Sequence, residues 1–234
     1  MVERLVSTHQ MRVSIIIPVL NEEAVLEANL KKLQMERASG HEIIVVDGGS
    51  EDDTQAVATP WVDQCVQSSR GRALQMNKGA AVAAGDVLLF LHADTLLPDD
   101  GLQAISRAIG NTQLAWGRFN VRLSGDKPFF RVIETMMNWR SRITGIATGD
   151  QAIFVTRGLF HRVNGFTEIP LMEDIDISRR LKKLHRPCCL KQRVITSSRR
   201  WELGGTLQTI LLMWRLRLAY WLGTDPATLA RQYR

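Results

Sequence analysis

Cysteine is scarce, with three residues in 234. Cys65 and the adjacent Cys188 and Cys189 make neither a C-x-x-C pair nor a disulfide framework, so buried, reduced thiols are expected. No run reaches the roughly 18 apolar residues that a membrane span needs. Residues 206–223 come nearest, and Arg215 and Arg217 interrupt them. The opening segment has no signal-peptide pattern, because the apolar run at 13–19 is short and acids follow it. A cytoplasmic location is expected. Neither G-x-G-x-x-G nor GxxxxGK[ST] occurs. Asn21, Glu22 and Glu23 fill the first strand-to-helix turn, where their charge would repel a pyrophosphate. This argues against NAD, FAD and Walker-type ATP chemistry, and against sugar-nucleotide pyrophosphorylases, whose first loop is glycine-rich and basic. Repeats, low-complexity tracts and linkers are also missing.

What remains is an ordinary globular composition, 45% hydrophobic and 23% charged, in a chain long enough for one sizeable core. A single domain over 1–234 is expected. The net charge of +6 suits an anionic partner. Its excess lies late, at Arg179-Arg180, Lys182-Lys183, Arg199-Arg200 and Arg215–Arg217. No stacking platform interleaves those charges, so nucleic acid is not the expected partner.

Up to residue 109, apolar runs alternate with helical segments: strands at 13–17, 43–46, 62–67 and 87–91, and helices at 22–38, 52–58, 72–84 and 99–109. This is the pattern of βαβ units and a parallel sheet. Asn21 and Ser50 or Asp52 are N-cap candidates, and Gly85 and Gly110 stand where helices end. Later the pattern mixes: strands at 115–123, 152–155 and 189–196, a helix at 128–143 with apolar Phe129, Ile133, Met136 and Met137, a short helical turn at 158–163, a charged helix at 173–184 and a terminal helix at 206–222. A nucleotide-binding half (1–112) would precede an acceptor-binding half (113–234).

Three of the early strands run directly into acids: Glu22-Glu23, Asp47 with Glu51–Asp53, and Asp94 after His92. Ligands of open α/β sheets bind outside the carboxyl ends of the strands. An acidic crevice there suits a ligand with hydroxyl and imide N–H donors, together with a divalent cation to offset its phosphates.

Five motifs carry a resemblance. Ser14-Ile-Ile-Ile-Pro-Val-Leu-Asn-Glu-Glu23, Val45-Val-Asp-Gly-Gly-Ser-Glu-Asp-Asp-Thr54 and Gly71-Arg-Ala with Asn77-Lys-Gly79 and Gly85-Asp86 come first. Leu89-Phe-Leu-His-Ala-Asp94 follows, and then Asn164-Gly-Phe166 with Met172-Glu-Asp-Ile-Asp-Ile-Ser178. In this order they resemble family 2 glycosyltransferases over residues 12 to about 205. The strings Leu91–Asp94 and Thr148–Gln151 resemble the small soluble members associated with arsenosugar biosynthesis or radical-SAM/selenodomain clusters.

The resemblance implies a GT-A fold, α/β with a mostly parallel sheet and a mixed C-terminal half. It also implies inverting transfer from a nucleoside diphosphate sugar, with Mg²⁺ or Mn²⁺, to a small-molecule acceptor. The nucleotide would meet Pro18, Asn21, Glu22, Asp47, Arg72 and Ala93. Asp47 would accept from the base, and its other reading is a helix cap. For Glu22 the alternative is a first-turn acid that favours the helix dipole. Asp94 is the last acid of the family's D-x-D element and the implied metal ligand. His92 replaces the first acid, so it either joins the metal or ribose or is a satisfied strand-end histidine. That replacement leaves a nucleotide-sugar-binding module without activity as the alternative to an enzyme.

Asp174, beside Glu173, matches the family's catalytic base; the competing reading is a first turn of acids paired with arginines along the helix. Asp150, Arg200 and Trp201 are the implied substrate contacts, with a turn and a solvated basic strand end as alternatives. The terminal helix carries Leu207, Ile210, Leu211, Trp214, Leu218 and Trp221 at helical spacing, a core or homodimer face. Tyr220, the two tryptophans and two arginines also suit peripheral membrane contact, which leaves open an acceptor on a lipid phosphate.

Overall fold

A computed structural model describes residues 11–110, 115–199, 202 and 205–233. Eight strands form one sheet in the order β3-β2-β1-β4-β7-β6-β8-β5. Strands β1 (Val13–Val19), β2 (Glu42–Asp47), β3 (Gln64–Gln67) and β4 (Val87–Phe90) pair in parallel. Helices α1 (Glu23–Lys32), α2 (Gln34–Ala38), α3 (Thr54–Ala58) and α4 (Arg72–Val82) connect them. The expected βαβ alternation is therefore present. The single helix expected at 22–38 is two, which meet at Leu33.

Both faces of this half are buried, and the period of two sorts the side chains. Val13, Ile15, Ile17, Ile43, Val45, Val87 and Leu89 face one core layer with Leu26 and Leu30 of α1. Ile16, Ile44, Val46, Leu88 and Phe90 face the other, with Met76 and Ala80 of α4. A two-faced apolar strand is what a parallel sheet covered by helices requires. A Cβ at Gly79 would lie 2.5 Å from the Ile16 side chain, so α4 packs closer to β1 than any larger residue permits.

The second half is mixed. Strand β6 (Trp116–Leu123) runs antiparallel to β7 (Ile153–Thr156) and parallel to β8 (Cys188–Thr196), and β7 pairs antiparallel with β4. A two-residue strand β5 (Thr95–Leu96), outside the sequence expectations, pairs with the end of β8. The helices here are α5 (Gly101–Ile109), α6 (Pro128–Thr144), α7 (Arg157–Arg162), α8 (Glu173–Leu184), α9 (Thr206–Trp221) and α10 (Pro226–Tyr233).

Several local expectations change. Asn21 does not cap α1: it takes φ 54°, its N–H donates to Ser50 Oγ and its Oδ1 accepts from the Glu51 N–H. Ser50 does not cap α3 either, because its hydroxyl is spent on Asp47. Gly110 ends α5 at φ 52°, as expected. Gly85 instead lies against Ser14, where a Cβ would sit 2.7 Å from the Ser14 nitrogen. On α6 the buried apolar residues are Phe130 and Ile133, while Phe129 and Met136 are exposed. All three cysteines are free, but Cys65 is exposed and Cys188 and Cys189 are half-buried.

Of the stripe on α9, Ile210 packs against Leu123, Phe130 and Ile133, and the four residues further along face away from the core. Leu211, Trp214, Leu218 and Trp221 are 58–71% exposed, while Leu216 is fully buried. Leu216 packs with Met172 and Leu229, and Leu212 and Ala219 lie against them. Helix α10 was not expected from the sequence, and its packing turns the other face of α9 inward. Among the described residues no helix is long and apolar enough to cross a membrane.

Candidate active site

The carboxyl ends of β1 and β4, the start of α4 and the facing surfaces of α6, α8 and α9 enclose a cavity of about 1250 Å³. Ligand pockets run to roughly 300–1,000 Å³, so this cavity has room for more than one small molecule.

On the sheet side, Pro18, Glu22, Arg72, His92, Ala93 and Asp94 line the cavity. Burial, and then the charge of Asp94, push the Glu22 carboxyl up, while Arg199 and Arg72 pull it back. Two acids thus face one another with cations beside them. Glu22 is the N-cap residue of α1 but makes no side-chain cap bond, so its carboxylate is free for the cavity. The main chain here is tied down. Gln75, buried on α4, donates to the carbonyls of Val19 (2.7 Å) and Val46 (2.9 Å), joining the ends of β1 and β2. The Asn29 amide donates to the Ala93 carbonyl.

Asp47 and Asn21 are not among the lining residues. Asp47 is fully buried and accepts from the N–H groups of Gly49 and Ser50, the Ser50 hydroxyl and the Gln55 amide. Burial raises its pKa, but these hydrogen bonds outweigh it and hold the carboxyl below its ordinary value. Its visible work is to shape the loop after β2.

His92 and Asp150 meet across the crevice, Nδ1 to Oδ1 at 3.5 Å. The other ring edge lies over Gly149, where a Cβ would come within 2.5 Å of Nε2. The 149–151 turn thus packs close against the imidazole, and a larger residue at 149 would meet the ring. Burial raises the Asp150 pKa, and the His92 hydrogen bond and charge more than reverse it. The turn carries its own capping box between Thr148 and Gln151.

Asp174 and Glu173 begin α8, entered through Met172 at φ 72°. Asp174 accepts from the Gly149 N–H (2.9 Å) and the Ile175 N–H (2.7 Å), which fixes its carboxylate toward the turn that holds His92. Glu173 is 7% exposed. Burial first, then the Asp174 charge, pushes its carboxyl up to about 7. Asp176 points away and pairs with Arg180 at 2.8 Å, the expected helix-surface ion pair. Arg200 and Trp201 lie outside the described residues.

No group of three or more acids, histidines or cysteines capable of enclosing a metal occurs among the described residues. Mg²⁺ and Mn²⁺ sites built on substrate phosphates need only one or two carboxylates. Asp94 fits that role, since its one hydrogen bond is a 3.4 Å contact from Thr95. His92 lines the same cavity, with Nδ1 turned to Asp150.

Sequence reasoning placed no role on Arg140 of α6 or Arg217 of α9, which also line the cavity. It took Asn77 only as part of a motif. That side chain clamps Phe166 by donating to its carbonyl (2.8 Å) and accepting its N–H (2.9 Å).

A family model described as Glycosyl transferase family 2 matches residues 14–165. The chain belongs to this family. It is 29% identical, over 85% of its length and 80% of the relative's, to a PGL/p-HBAD biosynthesis glycosyltransferase of Mycobacterium bovis BCG. Among solved structures it is similar to S. aureus TarS 1-349, with TM-score 0.66 and 18% identity, covering 80% of this chain and 61% of that one. Glucosyl-3-phosphoglycerate synthase of Mycobacterium tuberculosis, solved with Mg²⁺ and UDP, superposes at TM-score 0.60 and 17% identity, covering 80% of this chain and 70% of that one. The fold is GT-A-like, a mixed sheet flanked by helices, and the protein is a glycosyltransferase.

Proposed function

We propose that the protein transfers a sugar, with inversion, from a nucleoside diphosphate sugar to the hydroxyl of a small-molecule acceptor, and that the donor is a UDP-sugar. The observation that carries this reading is the division of acids around one cavity. Glu22 and Asp94 stand at the strand ends beside Arg72, and Glu173 and Asp174 stand opposite them on α8. The solved relatives with UDP-GlcNAc or with UDP and Mg²⁺ support the choice of donor.

In this reading the nucleoside lies over Pro18, Glu22 and Ala93, and Arg72 draws the diphosphate. Asp94 is the residue to hold Mg²⁺ or Mn²⁺. Such a cation would neutralise charge on the departing diphosphate. Asp174 accepts the proton of the acceptor hydroxyl. The acceptor oxygen then bonds to the anomeric carbon as the bond from that carbon to the phosphate oxygen breaks, and UDP leaves with the electron pair. The Gly149 and Ile175 N–H groups orient this base, and a base must lie within hydrogen-bond reach of the proton it takes. Asp150, held by His92, is placed to meet the donor sugar or the acceptor.

Three unpaired cysteines fit a reducing cytoplasm. The finer placement beside the arsenosugar-associated members rests on the strings at 91–94 and 148–151 alone.

A thermal-shift screen of nucleoside diphosphates with Mn²⁺ tests the reading, because ligands that bind only the folded state raise its melting temperature. UDP should give the largest shift. A screen in which no nucleoside diphosphate moves the transition contradicts it.

A further inference from the structure

Among the described residues, Arg140 in the cavity wall has two donors without a partner. The Nε and Nη2 atoms of Arg140 are shielded from solvent and have no hydrogen-bond partner. Buried donors left without a partner are destabilising, and more so when charged. Its neighbour Arg118 is also buried, but it spends Nη1 and Nη2 on the carbonyls of Phe119 and Asn138 and on the Asn120 side chain. The Asp174 charge favours the Arg140 cation from a distance, but among the described residues no ion pair joins the two within 4 Å. Arg217 approaches from α9 and lines the same cavity.

We propose that Arg140 and Arg217 form an acceptor subsite for an anionic group, a phosphate monoester or carboxylate, carried on an apolar body. The inference rests on the transfer reading above, since it is Asp174 that marks this end as the acceptor side. Burial first, then the charge of Arg217, lowers the Arg140 pKa to about 10, so the guanidinium stays charged at neutral pH and two like charges share one end of the cavity. An anion between them relieves both the repulsion and the unmade donors. The walls name the rest of the ligand. Met136, Trp139 and Ile143 of α6 and Met213 and Trp214 of α9 line this end, and Trp139 and Ile143 are 67% and 63% exposed. The donor diphosphate has its own arginines, Arg72 and Arg199, across the cavity.

The test is calorimetric titration of the UDP- and Mn²⁺-loaded protein with hexyl phosphate, hexanol and inorganic phosphate. Hexyl phosphate should bind tightest. Arg140→Gln and Arg217→Gln should each weaken it about tenfold or more while leaving UDP affinity unchanged. If UDP affinity falls in these variants and hexyl phosphate affinity does not, the arginines serve the donor and the proposal fails. Equal binding of hexanol removes the anion, and equal binding of inorganic phosphate removes the apolar body. Failure of the wild-type protein to bind UDP contradicts the transfer reading itself, whereas loss of the hexyl phosphate response alone contradicts only this subsite.

Discussion

The two walls of the cavity are built differently. The strand-end wall rests on β1, β2 and β4, buried on both faces, and its loops spend their polar groups on one another, as Asp47 does with Gly49, Ser50 and Gln55. The α6–α9 wall leaves a guanidinium without partners and tryptophans in the open. What the strand-end wall leaves open is acidic, the Glu22 and Asp94 carboxylates, and what the helical wall leaves open is basic, Arg140 and Arg217.

The sharpest way to break this comparison is at the base. Asp174→Asn keeps one amide oxygen to accept from either the Gly149 or the Ile175 N–H group but cannot take a proton, so turnover should fall by about 10²–10⁴ with UDP affinity intact. Retained turnover in steady-state kinetics would remove Asp174 from the reaction.

Glu173→Gln probes the same wall through stability. Its carboxyl is raised from 4.5 to about 7, so the wild-type side chain favours the fold below about pH 4.5 and loses that contribution as pH rises through 7. The variant should gain up to about 3 kcal/mol relative to wild type between pH 4.5 and 8, read by denaturant melts across that range. A pH-independent difference would contradict the shifted carboxyl.

Gly149→Ala tests the hinge between the walls. A methyl 2.5 Å from His92 Nε2 must displace the ring or the turn, costing about 1–3 kcal/mol and loosening the N–H that orients Asp174. Unchanged melting and turnover would show that the turn yields freely. The smallest effect belongs to Trp221→Ala, on the exposed stripe of α9. Stability should move by no more than about 0.5 kcal/mol, and a larger loss on thermal melting would reveal a covering partner.

Much of the donor wall was legible in the sequence because its signals are local. Continuous apolar runs at 13–17 and 43–46, followed closely by acids, specify buried strands and what stands at their ends. The α8 acids were legible for the same reason. Long-range arrangements were not. The turn at 148–151 meets His92 from some 57 positions away, β5 is only two residues long, and α10 decides which face of α9 is buried. Asp47 reads as a ligand contact from its motif, yet its hydrogen bonds turn it into its own loop. Arg140 carries no signal of its own in the sequence, since only the packing of α6 shows that its donors are enclosed.

The division of labour between the walls is tested most directly by titrating UDP with Mn²⁺ against wild type, Asp94→Ala and Asp174→Asn in one calorimetric series. Asp94→Ala should lose the Mn²⁺-dependent part of UDP affinity, and Asp174→Asn should keep it. Equal, metal-independent UDP binding by all three would contradict the account.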